Sequence, residues 1–83
     1  LAIDASVVGE SDCFALRVVG ESMIDADIAD GDMLVVRCQQ AAPTGSIVVA
    51  AIDGEVTVKR LSIRPGIVEL MPENPAFTPI RIT

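Results

Sequence analysis

The chain has 83 residues, with twelve acids against six bases and a formal net charge of -6. It has no histidine, tryptophan or tyrosine, and Lys59 is its only lysine. The missing histidines exclude a Ser-His-Asp triad, a Cys-His dyad and any His-bearing zinc site, and the acidity argues against a nucleic-acid surface, which needs basic residues to neutralise phosphates. A general base working near neutral pH must therefore be a carboxylate, a thiolate or Lys59.

Length predicts one domain over 1–83, which buries roughly 60% of its unfolded surface. Valine, isoleucine and threonine together make 24 residues, and such β-branched side chains suit a pleated sheet. The first twelve residues have no clear period and read as an extended arm. Phe14–Val19 reads as a strand ending at Gly20. From Ser22 to Ala29 the apolar points Met23, Ile24 and Ile28 suggest one or two helical turns. Asp30-Gly31-Asp32 is a turn, Met33–Cys38 a strand, and Gln39–Gly45 a loop.

The clearest local signal follows. Ile47–Ile52 and Glu55–Leu61 are β-branched runs flanking Asp53-Gly54, the pattern of a two-residue hairpin in which both turn positions take positive φ. This predicts Ile52 opposite Glu55, Ala50 opposite Thr57 and Val48 opposite Lys59. Pro65-Gly66 marks another turn, Ile67–Met71 a further strand, Pro72–Pro75 a turn, and Pro79–Thr83 a last extended piece. Short, closely spaced strands predict an all-β, partly closed, barrel-like sheet with a short helical turn after Ser22. No apolar run approaches the ~20 residues of a membrane span. There is no secretory signal, and a start at Leu1 reads as a fragment or processed piece. Cys13 and Cys38 form no CxxC pair and are expected to be buried, reduced thiols, although sequence alone leaves a disulfide open.

Two residues could carry chemistry. Lys59 faces Val48 and adjoins Val58, so burial would disfavour its ammonium and lower its pKa toward that of a usable base. The plain alternative is an edge lysine that snorkels to solvent. Ser22-Met23-Ile24-Asp25 has the S-x-x-D spacing of a helix N-cap. The same geometry would let a serine attack a carbonyl while N–H groups around it, those of Glu21, Ser22 and Met23, stabilise the oxyanion. Lysine is the known substitute for histidine in Ser-Lys variants of the triad. Local residues leave cap and nucleophile both open. The acids Asp25, Asp27, Asp30 and Asp32 do not fit the spacing of an EF-hand loop and read as solvated turn carboxylates. No metal or cofactor is expected.

Taken in order, Gly20–Met23 (G-x-S-M), Asp30–Asp32 (D-G-D), the hairpin ending in Val58–Arg60 (V-K-R) and Pro72–Phe77 (PENPAF) resemble the C-terminal self-cleavage domain of LexA-type repressors. That family also includes UmuD-like polymerase accessory proteins and cleavable phage repressors. The resemblance runs from about Phe14 to Ile80. It implies that Ser22 is the nucleophile and Lys59 the general base of a dyad that cuts a peptide bond, usually Ala-Gly, in its own polypeptide. It further implies stimulation by the RecA–single-stranded DNA filament, relief of repression of DNA-damage genes, a homodimer in the intact protein and a cytoplasmic location. The sequence contains no Ala-Gly dipeptide and no helix-turn-helix region. The expectation is therefore a piece lacking the DNA-binding domain, the cleavage segment and the last strands, with operator DNA bound only through that absent domain. Rival readings are a UmuD-like docking protein, a signal peptidase-type enzyme and a non-catalytic dimerisation domain. The signal peptidases share the Ser-Met and Lys-Arg pairs, but Met23 here is not followed by their proline.

Overall fold

The computed structural model describes residues 2–6, 13–39 and 41–82, with side chains described over 13–37 and 41–82. Seven strands form two sheets. In the first sheet, β1 (Ala2–Ser6), β3 (Met33–Gln39) and β2 (Cys13–Arg17) lie in that order. β1 runs parallel to β3, and β2 antiparallel to it. The second sheet is an antiparallel meander of β4 (Ile47–Ile52), β5 (Glu55–Arg64), β6 (Ile67–Met71) and β7 (Ile80–Arg81). The two sheets adjoin where β1 lies beside β4. Among the described residues no ladder joins them, so the all-β expectation holds while the barrel is not closed.

The Asp53-Gly54 hairpin forms as its turn chemistry requires. Asp53 has φ 51° and Gly54 φ 83°, the positive pair a two-residue hairpin needs. Its register places Ile52 opposite Glu55, Ala50 opposite Thr57 and Val48 opposite Lys59. β5 runs on to Arg64, longer than the pattern suggested, because β6 pairs with its second half from Arg60 onward.

The fold differs from the sequence reading at the N-terminal arm and at Cys13, and it gives the expected helical turn its form. Part of the supposed N-terminal arm is β1, paired along β3; a parallel partner about thirty residues away leaves no local period. Leu1 and residues 7–12 of that arm lie outside the described residues. The helical stretch after Ser22 is a single 3-10 turn, Ile24–Ala26, flanked by Met23 and closed by Asp27 at φ 60°. Cys13 is a free, exposed thiol, not a buried one; it opens β2 opposite the exposed Arg37. The side chain of Cys38 lies outside the described residues.

The core lies between the sheets and the Ser22 segment. Val18, Met23, Ile28, Leu34, Val36, Val49 and Val58 form one buried cluster. β3 shows the alternation of a half-buried strand: Leu34 and Val36 are buried, Met33 and Val35 exposed. At Val58-Lys59 the alternation stops, and both residues are buried.

Candidate active site

Ser22 follows a sharp exit from β2. Gly20 takes φ 92°, a left-handed conformation that side chains rarely adopt. The D-G-D turn holds this exit from one side. Val18 N–H donates to the Asp32 carbonyl and Gly31 N–H to the Val18 carbonyl, both at 2.8 Å. Asp30 Oδ1 accepts the Gly20 N–H at 2.7 Å, and Asp32 Oδ2 accepts the Ala29 N–H at 2.8 Å. These two acids therefore serve the backbone of the turn.

Pro72–Phe77 holds the Ser22 segment from the other side. Glu73 N–H donates to the Ser22 carbonyl and Asp25 N–H to the Glu73 carbonyl, each at 2.7 Å. Asn74 Nδ2 donates to the Glu21 carbonyl at 2.8 Å. Residue 23, not residue 22, flanks the 3-10 turn, and no side chain caps it. The N-cap reading of Ser22 is therefore replaced: its hydroxyl is engaged elsewhere.

That partner is Lys59. Nζ lies 2.9 Å from Ser22 Oγ, within hydrogen-bond distance, although 37 residues separate the two. Nζ also lies 2.5 Å from Thr57 Oγ1 and donates to the Val58 carbonyl at 3.2 Å. Lys59 is only 8% exposed, the one buried charged residue among the described side chains. The snorkelling alternative is thereby overturned. No carboxylate lies within ion-pair reach of Nζ among the described residues, and its pKa is lowered from the ordinary 10.5 by desolvation. With no anion in reach among the described residues, only neutral oxygen partners offset the cost of burying the ammonium.

A small cleft runs along the pair, lined by Leu16–Val19 at the end of β2, Ser22, Met23, and Val56–Lys59 on β5. A second cleft on the other side of Lys59 and Thr57 includes Glu55, Phe77 and Ile80. Among the described residues the N–H groups of Glu21, Ser22 and Met23 donate to no acceptor. Ser22 and Met23 line the first cleft, whereas Glu21 does not; its carbonyl takes up the Asn74 amide and the Ile24 N–H.

The hairpin register predicted from the sequence sets Thr57 opposite Ala50 and gives it no role; its i, i+2 spacing from Lys59 on one strand is the available signal. Glu73 and Asn74 read in sequence as a turn and as part of the PENPAF signature, with no positioning role, because what they hold comes from tertiary structure.

A buried lysine thus stands against a serine hydroxyl, and the comparisons assign the chain to a class of peptidases. The chain belongs to the peptidase S24-like family, whose profile matches residues 1–83. It is 55% identical over 80 residues to a LexA repressor of Oleidesulfovibrio alaskensis, covering 96% of this chain and 39% of that protein. It is 61% identical over 74 residues to LexA repressors of Frankia alni and Mycolicibacterium vanbaalenii, covering 89% of this chain and 29% and 32% of theirs. The chain thus spans well under half the length of these curated relatives.

Proposed function

We propose that this chain is the serine peptidase domain of a LexA-type repressor, with Ser22 as nucleophile and Lys59 as general base. One observation carries the reading: a buried lysine, with no carboxylate partner among the described residues, stands 2.9 Å from a serine hydroxyl. A neutral amine there accepts the Oγ proton as Oγ attacks a peptide carbonyl carbon. The resulting ammonium returns the proton to the departing amine, leaving an acyl-serine. Water then releases the acyl group with Lys59 again as base. The developing oxyanion has donors at hand in the N–H groups of Ser22 and Met23, which line the cleft.

The names of the relatives support a repressor setting. Self-cleavage at an Ala-Gly bond, stimulation by a RecA–single-stranded DNA filament, and dimerisation with operator binding through other parts of a longer polypeptide all belong to this proposal.

The test is cleavage of a supplied peptide bearing an Ala-Gly bond. The chain is expected to cut it slowly at neutral pH and faster in alkali. Ser22→Ala and Lys59→Ala are expected to abolish cutting while circular dichroism shows the sheet intact. Cleavage at the parental rate in either variant would overturn the assignment. A folded parent that cuts nothing at any pH would leave a docking or dimerisation module as the better description.

A further inference from the structure

The Ser22 segment and β5 belong to different parts of the fold, and no ladder joins them among the described residues. Met23 and Val58 share the apolar core, but apolar packing is non-directional and does not fix a hydroxyl against an amine. A polar connection between the two segments runs through one residue. Glu73 clasps both ends of the nucleophile's turn with its backbone, accepting from Asp25 N–H and donating to the Ser22 carbonyl. Its carboxylate pairs with Nε of Arg60, the residue next to Lys59 on β5. Arg60 is itself anchored, donating to the Gly45 carbonyl at 2.6 Å. Asn74 adds the third clasp, on Glu21.

From this connection we infer that Glu73 is a positioning residue for the Ser22–Lys59 pair: its side chain is tied to the base's strand while its backbone is tied to the nucleophile's turn. This rests on the Ser-Lys reading above. The Arg60–Glu73 pair is partly exposed, at 37% and 32% of side-chain area. Such pairs contribute little to stability. Its consequence lies in geometry, because misplacing reacting groups by about 1 Å costs on the order of 10²-fold in rate.

The experiment measures kcat, KM and the pH midpoint for cleavage of a supplied Ala-Gly peptide by the parent, Glu73→Gln, Arg60→Gln and the double variant. Each is paired with a thermal melt. Glu73→Gln is expected to lower kcat about tenfold or more, with KM, pH midpoint and melting temperature near the parent's. The double variant is expected to be no slower than the slower single, because the two side chains act as one strut. Glu73→Asp, which keeps the charge on a shorter stem, recovers part of the loss. Arg64→Gln removes the other β5 pair, Arg64–Glu69, which links β5 to β6 and not to the Ser22 turn, and keeps parental kcat. Parental kcat in Glu73→Gln, or a loss matching its unfolded fraction, overturns the positioning role alone. A parent with no Ser22-dependent cleavage overturns both this role and the dyad, since there is then no pair to position.

Discussion

Thr57 and Lys59 stand two residues apart on one face of β5, with the threonine Oγ1 2.5 Å from the lysine Nζ. A neutral lysine has two N–H donors and one lone pair. The Val58 carbonyl can only accept, whereas the hydroxyls of Thr57 and Ser22 can accept or donate. If Nζ donates to Val58 and Thr57, its lone pair is left facing the Ser22 hydroxyl, as proton abstraction requires. Thr57→Val keeps the shape and removes the acceptor, so Nζ can spend a proton on Ser22 instead. The expected result is a fall in kcat of about ten- to a hundredfold on an Ala-Gly peptide, the range of a disturbed general base. Thr57→Ser retains most of the activity; equal kcat in the valine variant would show that the threonine does not orient the base.

The buried lysine also sets a pH profile. Desolvation lowers its pKa from 10.5, and only the neutral form accepts the serine proton. The rate is expected to rise with pH along a single titration and level off below the ordinary lysine range. Lys59 is the only lysine in the chain, so lysine-specific 13Cε labelling gives one NMR resonance that reports its pKa directly. That midpoint and the kinetic one are expected to coincide in the parent, and the NMR midpoint of Ser22→Ala to differ from it only by the small change from losing one hydroxyl neighbour. A resonance titrating at or above 10.5 would remove the physical basis for a lysine base.

Features decided by neighbouring residues were legible in the sequence, and those decided across the fold were not. Asp53-Gly54 dictates its own turn, and the turn dictates the register that aligns Val48 with Lys59. Ser22 shows the opposite case. Its S-x-x-D spacing met the local rule for a cap, yet its hydroxyl meets an amine 37 residues away, a contact no local rule contains. Part of the first twelve residues forms a strand because β3 offers an edge, not because of any pattern of their own. PENPAF could be read as a turn and as a family signature, while Glu73's link to Arg60 appears only once β5 and the loop are folded together. The pairing of Ser22 with Lys59 is implied by family resemblance alone, and the fold sets the two 2.9 Å apart.

Gly20 governs how the chain enters the Ser22 turn. Its φ of 92° lies where a Cβ is strained, and nothing lies within 4 Å of the place a Cβ would occupy. The cost of Gly20→Ala is therefore backbone strain without collision, on the order of 1–2 kcal/mol. Each kcal/mol corresponds to roughly 4–8 °C in a domain of this size, so a differential scan should show a clear drop. If the strain is relieved by turning the segment, the Gly20–Asp30 bond at 2.7 Å is lost and Ser22 moves from Lys59, so cleavage falls as well. An unchanged melting temperature would mean that residue 20 does not take the left-handed conformation in solution.

The depressed lysine pKa has a further consequence for stability, and its sign follows from proton counting. The folded pKa of Lys59 is below that of the unfolded chain, whose lysine titrates near 10.5. Between the two values the unfolded chain holds a proton that the folded chain has released. Unfolding takes up that proton, so stability rises with pH across this interval. Below the folded pKa both states are protonated and the buried ammonium weighs on the fold in full; above 10.5 both are neutral and the penalty is gone. Urea melts at increasing pH are expected to show a rising contribution in the parent that is absent in Lys59→Met, where an uncharged side chain of similar length fills the site. If parent and Lys59→Met run parallel up to the ordinary lysine range, the ammonium is not penalised by burial, and a neutral lysine base at Ser22 loses its energetic support.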